Sequence, residues 1–345
     1  MSAKEAHPGL IELTVEIDGE GFPAIAYDDL TGPVAPGDVV LLNTTAVELG
    51  LGTGGAHLVI AVEGRAGGAR PVTGHAMKLR YTPMQTSVDA AEDLHRDLVD
   101  RIRSLDGMPV VVAGLHSALA PAALGARAVA PGSRIAYVMT DAAALLLPFS
   151  RTVPALRDAG LLDVTVTAGQ AVGGDLEAVN LHSALLVALA VGKADLVIVA
   201  MGPGNLGTGS GLGFASLEVG TIVNAVAALG GRPIVVPRIS FADPRERHRG
   251  VSHHTLAALT MAALGRAEVV LPSLAPDRFA RVRAQLADAG VLARHDLVEV
   301  DIGPADDVLR SSPVPLRSMG RTFEEDPDQH RAACAGGVRA ADVLG

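Results

Sequence analysis

The chain has 345 residues, 49% of them hydrophobic and 19% charged, which is material for about two domains with sizeable cores and too apolar for a disordered chain. Its 28 Lys and Arg against 38 Asp and Glu leave a net charge of −10, which argues against general nucleic-acid binding, because neutralising phosphates needs a basic surface. With no Trp, 3 Tyr and 6 Phe there is little for a base-stacking platform, and the single cysteine, Cys334, excludes an internal disulfide and a cysteine-based zinc cluster.

The first seventy residues read as β structure. Residues 11–17 alternate apolar and polar, and Asp18-Gly19 follows as a turn signal. Residues 23–27, 38–42 and 57–63 give three more short strands, punctuated by Gly32-Pro33 and Pro36-Gly37. Short strands with frequent turns predict a small β-barrel-like or sandwich domain over residues 1–72. The glycine-rich stretch 50–55 reads as a wide hairpin loop, and 64–68 as another hairpin tip or a linker.

From about Asp89 the period changes. Leu94, Leu98, Ile102 and Leu105 recur at spacings of three and four, which predicts an amphipathic helix. Wholly apolar runs at 110–113, 135–139, 164–168, 196–201, 234–237 and 269–271 then alternate with helix-like stretches, with 297–302 as one more candidate strand. Continuous apolar strands are those of a parallel sheet covered on both faces. The fold class is therefore α/β: a small N-terminal β domain, then a Rossmann-like layered domain over 73–303 with a mainly parallel sheet. The proline-containing tail, 304–345, is expected to wrap over the surface and end in a short helix near 330–344. No apolar run reaches the length of a membrane span, and the polar N-terminus lacks a signal-peptide core. The expected setting is cytoplasmic, without membrane or nucleic-acid partners. The Ala- and Gly-rich helices would pack either inside one chain or across a homodimer.

In open α/β sheets ligands collect beyond the C-terminal strand ends. There the sequence offers His116, Asp141, the pair Asp175 and Glu177, a glycine-rich loop at 202–213, and the segment 238–254. In the loop, Gly202, Gly204 and Gly207 match G-x-G-x-x-G after a strand, with Asn205, Thr208 and Gly209 beside them. Its amides would cradle an anion. Three further glycines delay the next helix, unlike a compact dinucleotide turn. The segment 238–254 carries Arg238, Arg245 and Arg247, whose forks match carboxylate or phosphate, with Asp243, His248, His253 and His254 as acid–base candidates. Ser252 is placed to cap a helix that starts at His253. The competing reading of this segment is an exposed loop of mutual salt bridges. No H-E-x-x-H and no G-x-S-x-G motif occurs. The metal and any cofactor stay open, Mg or Mn being as plausible as Zn.

Residues Asn43-Thr44-Thr45-Ala46-Val47-Glu48-Leu49-Gly50-Leu51-Gly52-Thr53-Gly54-Gly55 resemble a signature of an uncharacterised bacterial family, domain of unknown function 3866. The same holds for His75-Ala76-Met77-Lys78-Leu79-Arg80-Tyr81-Thr82-Pro83, for the 202–213 loop, and for 239–243 through 250–254. The resemblance spans nearly the whole chain. It implies a full-length family member and supplies neither a reaction nor catalytic residues. The residues themselves point first to an enzyme acting on a small anionic substrate, a nucleotide or other phosphorylated metabolite. A non-catalytic sensor of such a ligand and a structural scaffold are the alternatives.

Overall fold

The computed structural model describes all residues except 1, 51, 53, 66, 68–73 and 345, with the side chains of residues 2–7 left aside. It divides into two compact units, Met1–Asp89 and Ala90–Gly345. Residue 72, the expected domain limit, and parts of the 50–55 and 64–68 stretches lie outside the described residues.

The first unit holds β1 (Ser2–His7), β2 (Leu10–Ile17), β3 (Glu20–Ala26), the short helix α1 (Asp28–Thr31), β4 (Val40–Asn43), the short helix α2 (Thr45–Glu48) and β5 (His57–Val62). They form one mixed sheet in the order β1-β2-β3-β5-β4, in which β3 and β5 are parallel. Asp18 and Gly19 both take positive φ and join Ile17 to its partner Glu20, the two-residue turn whose twist suits a hairpin. Leu13 and Val15 from β2 meet Ala24, Ala26 and Val59 in a small core. A further hairpin pairs β6 (Ala76–Lys78) with β7 (Thr86–Val88).

In the second unit the expected long helix after Asp89 is not continuous. It breaks at His95 into α3 (Ala91–Leu94) and α4 (Arg96–Val99), with Leu94 64% and Leu98 47% exposed. Of that stretch only Ala90, Ala91, Val99 and Leu105 are buried, and of the predicted stripe only Leu105, so it had too few inward positions to hold four turns of helix. Then come β8 (Pro109–Ala113), α5 (Leu119–Val129), β9 (Ile135–Thr140), α6 (Thr152–Asp158), β10 (Val164–Ala168), β11 (Leu176–Ala178), α7 (Leu181–Ala190), β12 (Leu196–Met201), α8 (Glu218–Ala228) and β13 (Arg232–Val236). The small hairpin β14 (Ile239–Ser240) and β15 (Gly250–Val251) leads to α9 (His253–Ala257), β16 (Glu268–Pro272), α10 (Pro276–Asp288), β17 (Asp296–Val300) and α11 (Gly303–Arg310). The two-residue strands β18 (Arg317–Ser318) and β19 (Arg321–Thr322) precede α12 (Pro327–Asp342).

Eight of these strands make one wholly parallel sheet in the order β11-β10-β9-β12-β8-β13-β16-β17. Every residue of β8, β9, β10 and β12 is buried, as the continuous apolar runs require. Helices α5, α11 and α12 pack together in one layer, and α7 and α8 pack together in another. This is α/β, Rossmann-like layering. From β8 the chain winds outward to β11, returns to insert β12 beside β8, then proceeds to β13 on the opposite side. The winding therefore reverses at β8, which makes the C-terminal ends of β8 and β13 the switch point where such sheets bind ligands.

The C-terminal tail differs from expectation. Its helix α12 runs sixteen residues, contacts β8, β13 and β16, and buries Cys334, whose thiol is pushed up to about 12 by burial. It crosses α5 at glycines: a Cβ on Gly337 would stand 1.9 Å from the Ala122 carbonyl oxygen, and one on Gly125 would stand 2.3 Å from the Cys334 carbonyl. The Ala- and Gly-rich faces of α5 and α12 are thus buried against each other within one chain. Gly337→Ala should cost about 1–3 kcal/mol by forcing the helices apart. Urea unfolding at unchanged slope measures it, and an unshifted midpoint would contradict the close crossing.

Candidate active site at the switch point

Beyond β13 the backbone turns at Arg238 and is closed by the β14–β15 pairing of Ile239 with Val251 and Ser240 with Gly250. Gly250 has φ +75, and a Cβ there would strike Gln285 Oε1 at 2.1 Å. That glutamine holds the loop by accepting from Val251 N and donating to the Arg249 carbonyl. Helix α9 is then pinned against β13: Ser252 N donates to the Arg238 carbonyl, and Arg238 N donates to Thr255 Oγ1. As expected, Ser252 caps α9, its Oγ accepting from His254 N. These bonds return the three histidines to the end of the strand that carries Arg238.

His248, His253 and His254 form one cluster, with ring centroids 4.3–5.1 Å apart. Each Nδ1 has a protein partner: Ser252 Oγ at 2.7 Å for His248, the Arg247 carbonyl at 3.3 Å for His253, and Ser216 Oγ at 3.1 Å for His254. No hydrogen-bond partner of the three Nε2 atoms occurs among the described residues. His254 stacks on Phe214 at 3.8 Å, nearly parallel. Burial is the main cause that lowers all three: His248 to about 4, His254 to about 3, and His253 in the same direction. Nearby arginines add to the effect, and the rings are neutral imidazoles near pH 7.

Asp243 is 1% exposed and organises the arginines. It accepts from Arg245 N, Nε and Nη2 at 2.9–3.0 Å and from Arg238 Nη2 at 3.2 Å, with Arg321 Nη2 3.6 Å away. The Arg245 hydrogen bonds hold its carboxyl well below the usual carboxylate range. Asp326 takes Ser240 Oγ at 2.7 Å and Arg321 Nε at 3.0 Å. Three guanidinium groups thus face two buried carboxylates, leaving one positive charge in excess. Arg238 is 8% exposed, is drawn down to about 10 by burial and so stays charged, and its buried Nε has no hydrogen-bond partner. It lines a pocket of about 30 Å³ with Gly114, Ser216, His254, Thr255 and Gln329. Gln329 Oε1 is also buried and unpartnered.

The glycine-rich loop reaches this cluster only at its root. Gly207 bridges Phe214, and a Cβ on it would lie 3.9 Å from the His254 ring. Gly202 packs on the Ala144 carbonyl, and Gly204 takes φ +93. Asn205 leaves a buried, unpartnered Oδ1. Beyond Gly207 the amides of Thr208, Ser210, Gly213, Phe214 and Ala215 bond within the loop, and the Thr208 and Ser210 hydroxyls bond each other. From Thr208 through Gly209 onward the loop is a finger folded on itself more than an open cradle. Arg247 is exposed, and its carbonyl orients His253.

The remaining candidates sit elsewhere. His116 has both ring nitrogens engaged, by Tyr137 Oη at 3.1 Å and Ser150 Oγ at 2.7 Å. Asp141 accepts from Gln170 N. Asp175 binds the Thr165 amide and hydroxyl together with Arg157, and Glu177 binds Thr167 Oγ1 and Gly173 N. Asp175 and Glu177 brace β10 and β11, and β10 lies three strand spacings from β8, about 14 Å. Sequence reasoning missed Phe214, Ser216, Arg321, Asp326 and Gln329, which carry no local motif. It also missed Glu218, whose carboxyl accepts from Thr140 Oγ1 at 2.9 Å and is raised by burial to about 7.

The chain matches the family model described as "Protein of unknown function (DUF3866)" over residues 23–337. The chain belongs to this family. No curated protein matches it. No described helix is long and apolar enough to cross a membrane. The matched span takes in the histidine cluster, Asp243, Arg321 and Gln329, so the whole switch-point constellation lies in the family's shared region.

Two outcomes test the electrostatics. Glu218 holds a proton in the folded chain that the unfolded chain has lost between about pH 4.5 and 7. Stability from this group therefore rises as pH falls through that window, and its penalty is fully present above it. Glu218→Gln should stabilise by about 2–3 kcal/mol near pH 8 and change little near pH 4.5, read by thermal unfolding at both values. Asp243→Asn leaves the buried Arg238 guanidinium, and the half-exposed Arg245 beside it, against an amide and should cost about 3–5 kcal/mol, read by denaturant unfolding.

Proposed function

We propose that the chain is an enzyme acting on a small anionic substrate at the C-terminal edge of its eight-stranded sheet, between the ends of β8 and β13. One observation carries the reading: the Arg238 guanidinium is buried and charged, with an unpartnered Nε, in the wall of a pocket that His254 also lines. An unsatisfied buried donor on a charged group costs free energy that a bound oxyanion would recover. The excess positive charge of the arginine–aspartate cluster favours the same occupant.

Pocket size bears on the substrate class. About 30 Å³ admits one or two water-sized groups, so the pocket suits a carboxylate or phosphate end and not a nucleobase. Gln329 Oε1 offers an acceptor for a hydroxyl on the same ligand. The three Nε2 atoms have no protein partner among the described residues, and the switch-point position is where open α/β sheets place ligands. The histidines distinguish an enzyme from a sensor, because a sensor needs only the arginine.

A thermal-shift titration with inorganic phosphate tests the binding step. Phosphate should raise the melting temperature of the native chain by mass action and leave that of Arg238→Gln unchanged. Phosphorylated and carboxylated metabolites that reproduce the shift are then assayed for turnover, which His253→Ala should abolish while keeping the shift. No shift with any oxyanion would overturn the anion site. Shifts without product from any ligand would move the reading to a sensor.

A further inference from the structure

We propose that His248, His253 and His254 form a binding site for a divalent transition metal of the zinc class, held through their three Nε2 atoms. The proposal rests on the histidine geometry and does not require the enzyme reading.

The first support is convergence. One ring nitrogen from each histidine lies within 4.8 Å of the others, and no other such group of three His, Cys, Asp or Glu occurs among the described residues. The three come from a loop and a helix start that β14 and β15 clamp together, so they meet by construction of the fold.

The second support is orientation. A metal-bound histidine characteristically donates its other ring N–H to an outer partner, which fixes tautomer and direction. All three histidines have that partner in place. His253 Nδ1 faces the Arg247 carbonyl, which can only accept, so that nitrogen carries the proton and Nε2 carries the lone pair. The hydroxyls of Ser252 and Ser216 stand at the Nδ1 atoms of His248 and His254, where each is able to accept in the same sense. Rings that served only as packing would not need three Nδ1 partners and three bare Nε2 atoms.

Donor chemistry selects the ion. Three imidazoles without thiolate or carboxylate suit zinc and its transition-metal neighbours and not Mg²⁺ or Ca²⁺, which take oxygen ligands. Three protein ligands leave a position open, as in catalytic rather than structural zinc sites. Nitrogens around a tetrahedral ion with bonds of about 2.0–2.1 Å stand about 3.3 Å apart, so from separations within 4.8 Å the rings must draw together by up to about 1.5 Å. His253 is partly exposed and less confined than His248, and it can supply most of that movement.

The surroundings oppose a cation, since Arg238 and Arg247 act on the same rings. An oxyanion at Arg238 would offset them. Metal and anion should therefore bind with positive coupling, each tightening the other by the same factor.

The test uses the full, untagged chain, dialysed against Zn²⁺ and then assayed for metal content, with calorimetric titrations of Zn²⁺ and Mg²⁺. A single zinc per chain and no Mg²⁺ binding are expected. His253→Ala should lose the zinc with its circular dichroism unchanged. Ser216→Ala keeps all three ligands and should bind about 10–100-fold more weakly. It also carries the test should His253→Ala fail to fold. Inorganic phosphate should tighten zinc binding. A chain that holds no zinc after dialysis, or variants that bind it as the native chain does, would overturn the site. Should phosphate still raise the melting temperature in that case, the anion site stands without the metal.

Discussion

The candidate site depends on the charge balance around Asp243. A carboxylate removed from water costs several kcal/mol unless its charge and lone pairs are matched, and Asp243 is 1% exposed. Arg245 matches it from two residues away and Arg238 from the end of β13, while Arg321 approaches from β19. Such a cluster contributes little net stability over an apolar packing, but it leaves few alternative arrangements of the loop. It fixes where Arg238 points, and through the Arg238 backbone bonds to Ser252 and Thr255 it fixes where α9 begins. The two histidines at the start of that helix follow from the same constraint.

Sheet order decides which polar loops can cooperate. The loops after β8 and β13 share an edge at the point where the winding reverses, and the pocket lies between them, walled also by Ser216 and by Val219 of α8. The loop after β9 lies on the same edge but toward its margin, where Asp141 accepts from Gln170 N, whereas the β10–β11 register sets Asp175 level with Thr165 near the N-terminal end of β10 and Glu177 within β11 opposite Thr167. Polar loop ends alone do not distinguish these roles. Adjacency across the sheet does.

The abundant alanine and glycine in this chain have a structural use. Helix α12 enters the layer beside α5 at a distance that side chains beyond Cα would forbid at Gly125 and Gly337. That approach lets a C-terminal helix contact β8, β13 and β16 at once and carries Gln329 to the pocket. The last forty residues therefore contribute to both the core and the site, contrary to the surface wrap that their prolines suggested.

The six apolar runs read from the sequence each coincide with a strand of the parallel sheet, because burial on both faces leaves a continuous signal, and the further candidate at 297–302 overlaps the half-exposed edge strand β17. The Ser252 cap, the Asp18-Gly19 turn and the arginine–histidine segment were equally legible, since each rests on residues close in the chain. The unbroken helix after Asp89 was not, because spacing shows a stripe without showing whether anything covers it. Strand β11 escaped through its brevity and the charged Glu177 at its centre. What the sequence by itself determined is the class of the fold, seven of the eight strands of the parallel sheet and the local chemistry of 238–254. Only the tertiary structure decided that Ser216, Arg321 and Gln329 join that chemistry and that Asp141, Asp175, Glu177 and His116 are engaged elsewhere. The physical reason is that strand order and helix crossing bring together residues some eighty positions apart, and no local pattern encodes that distance.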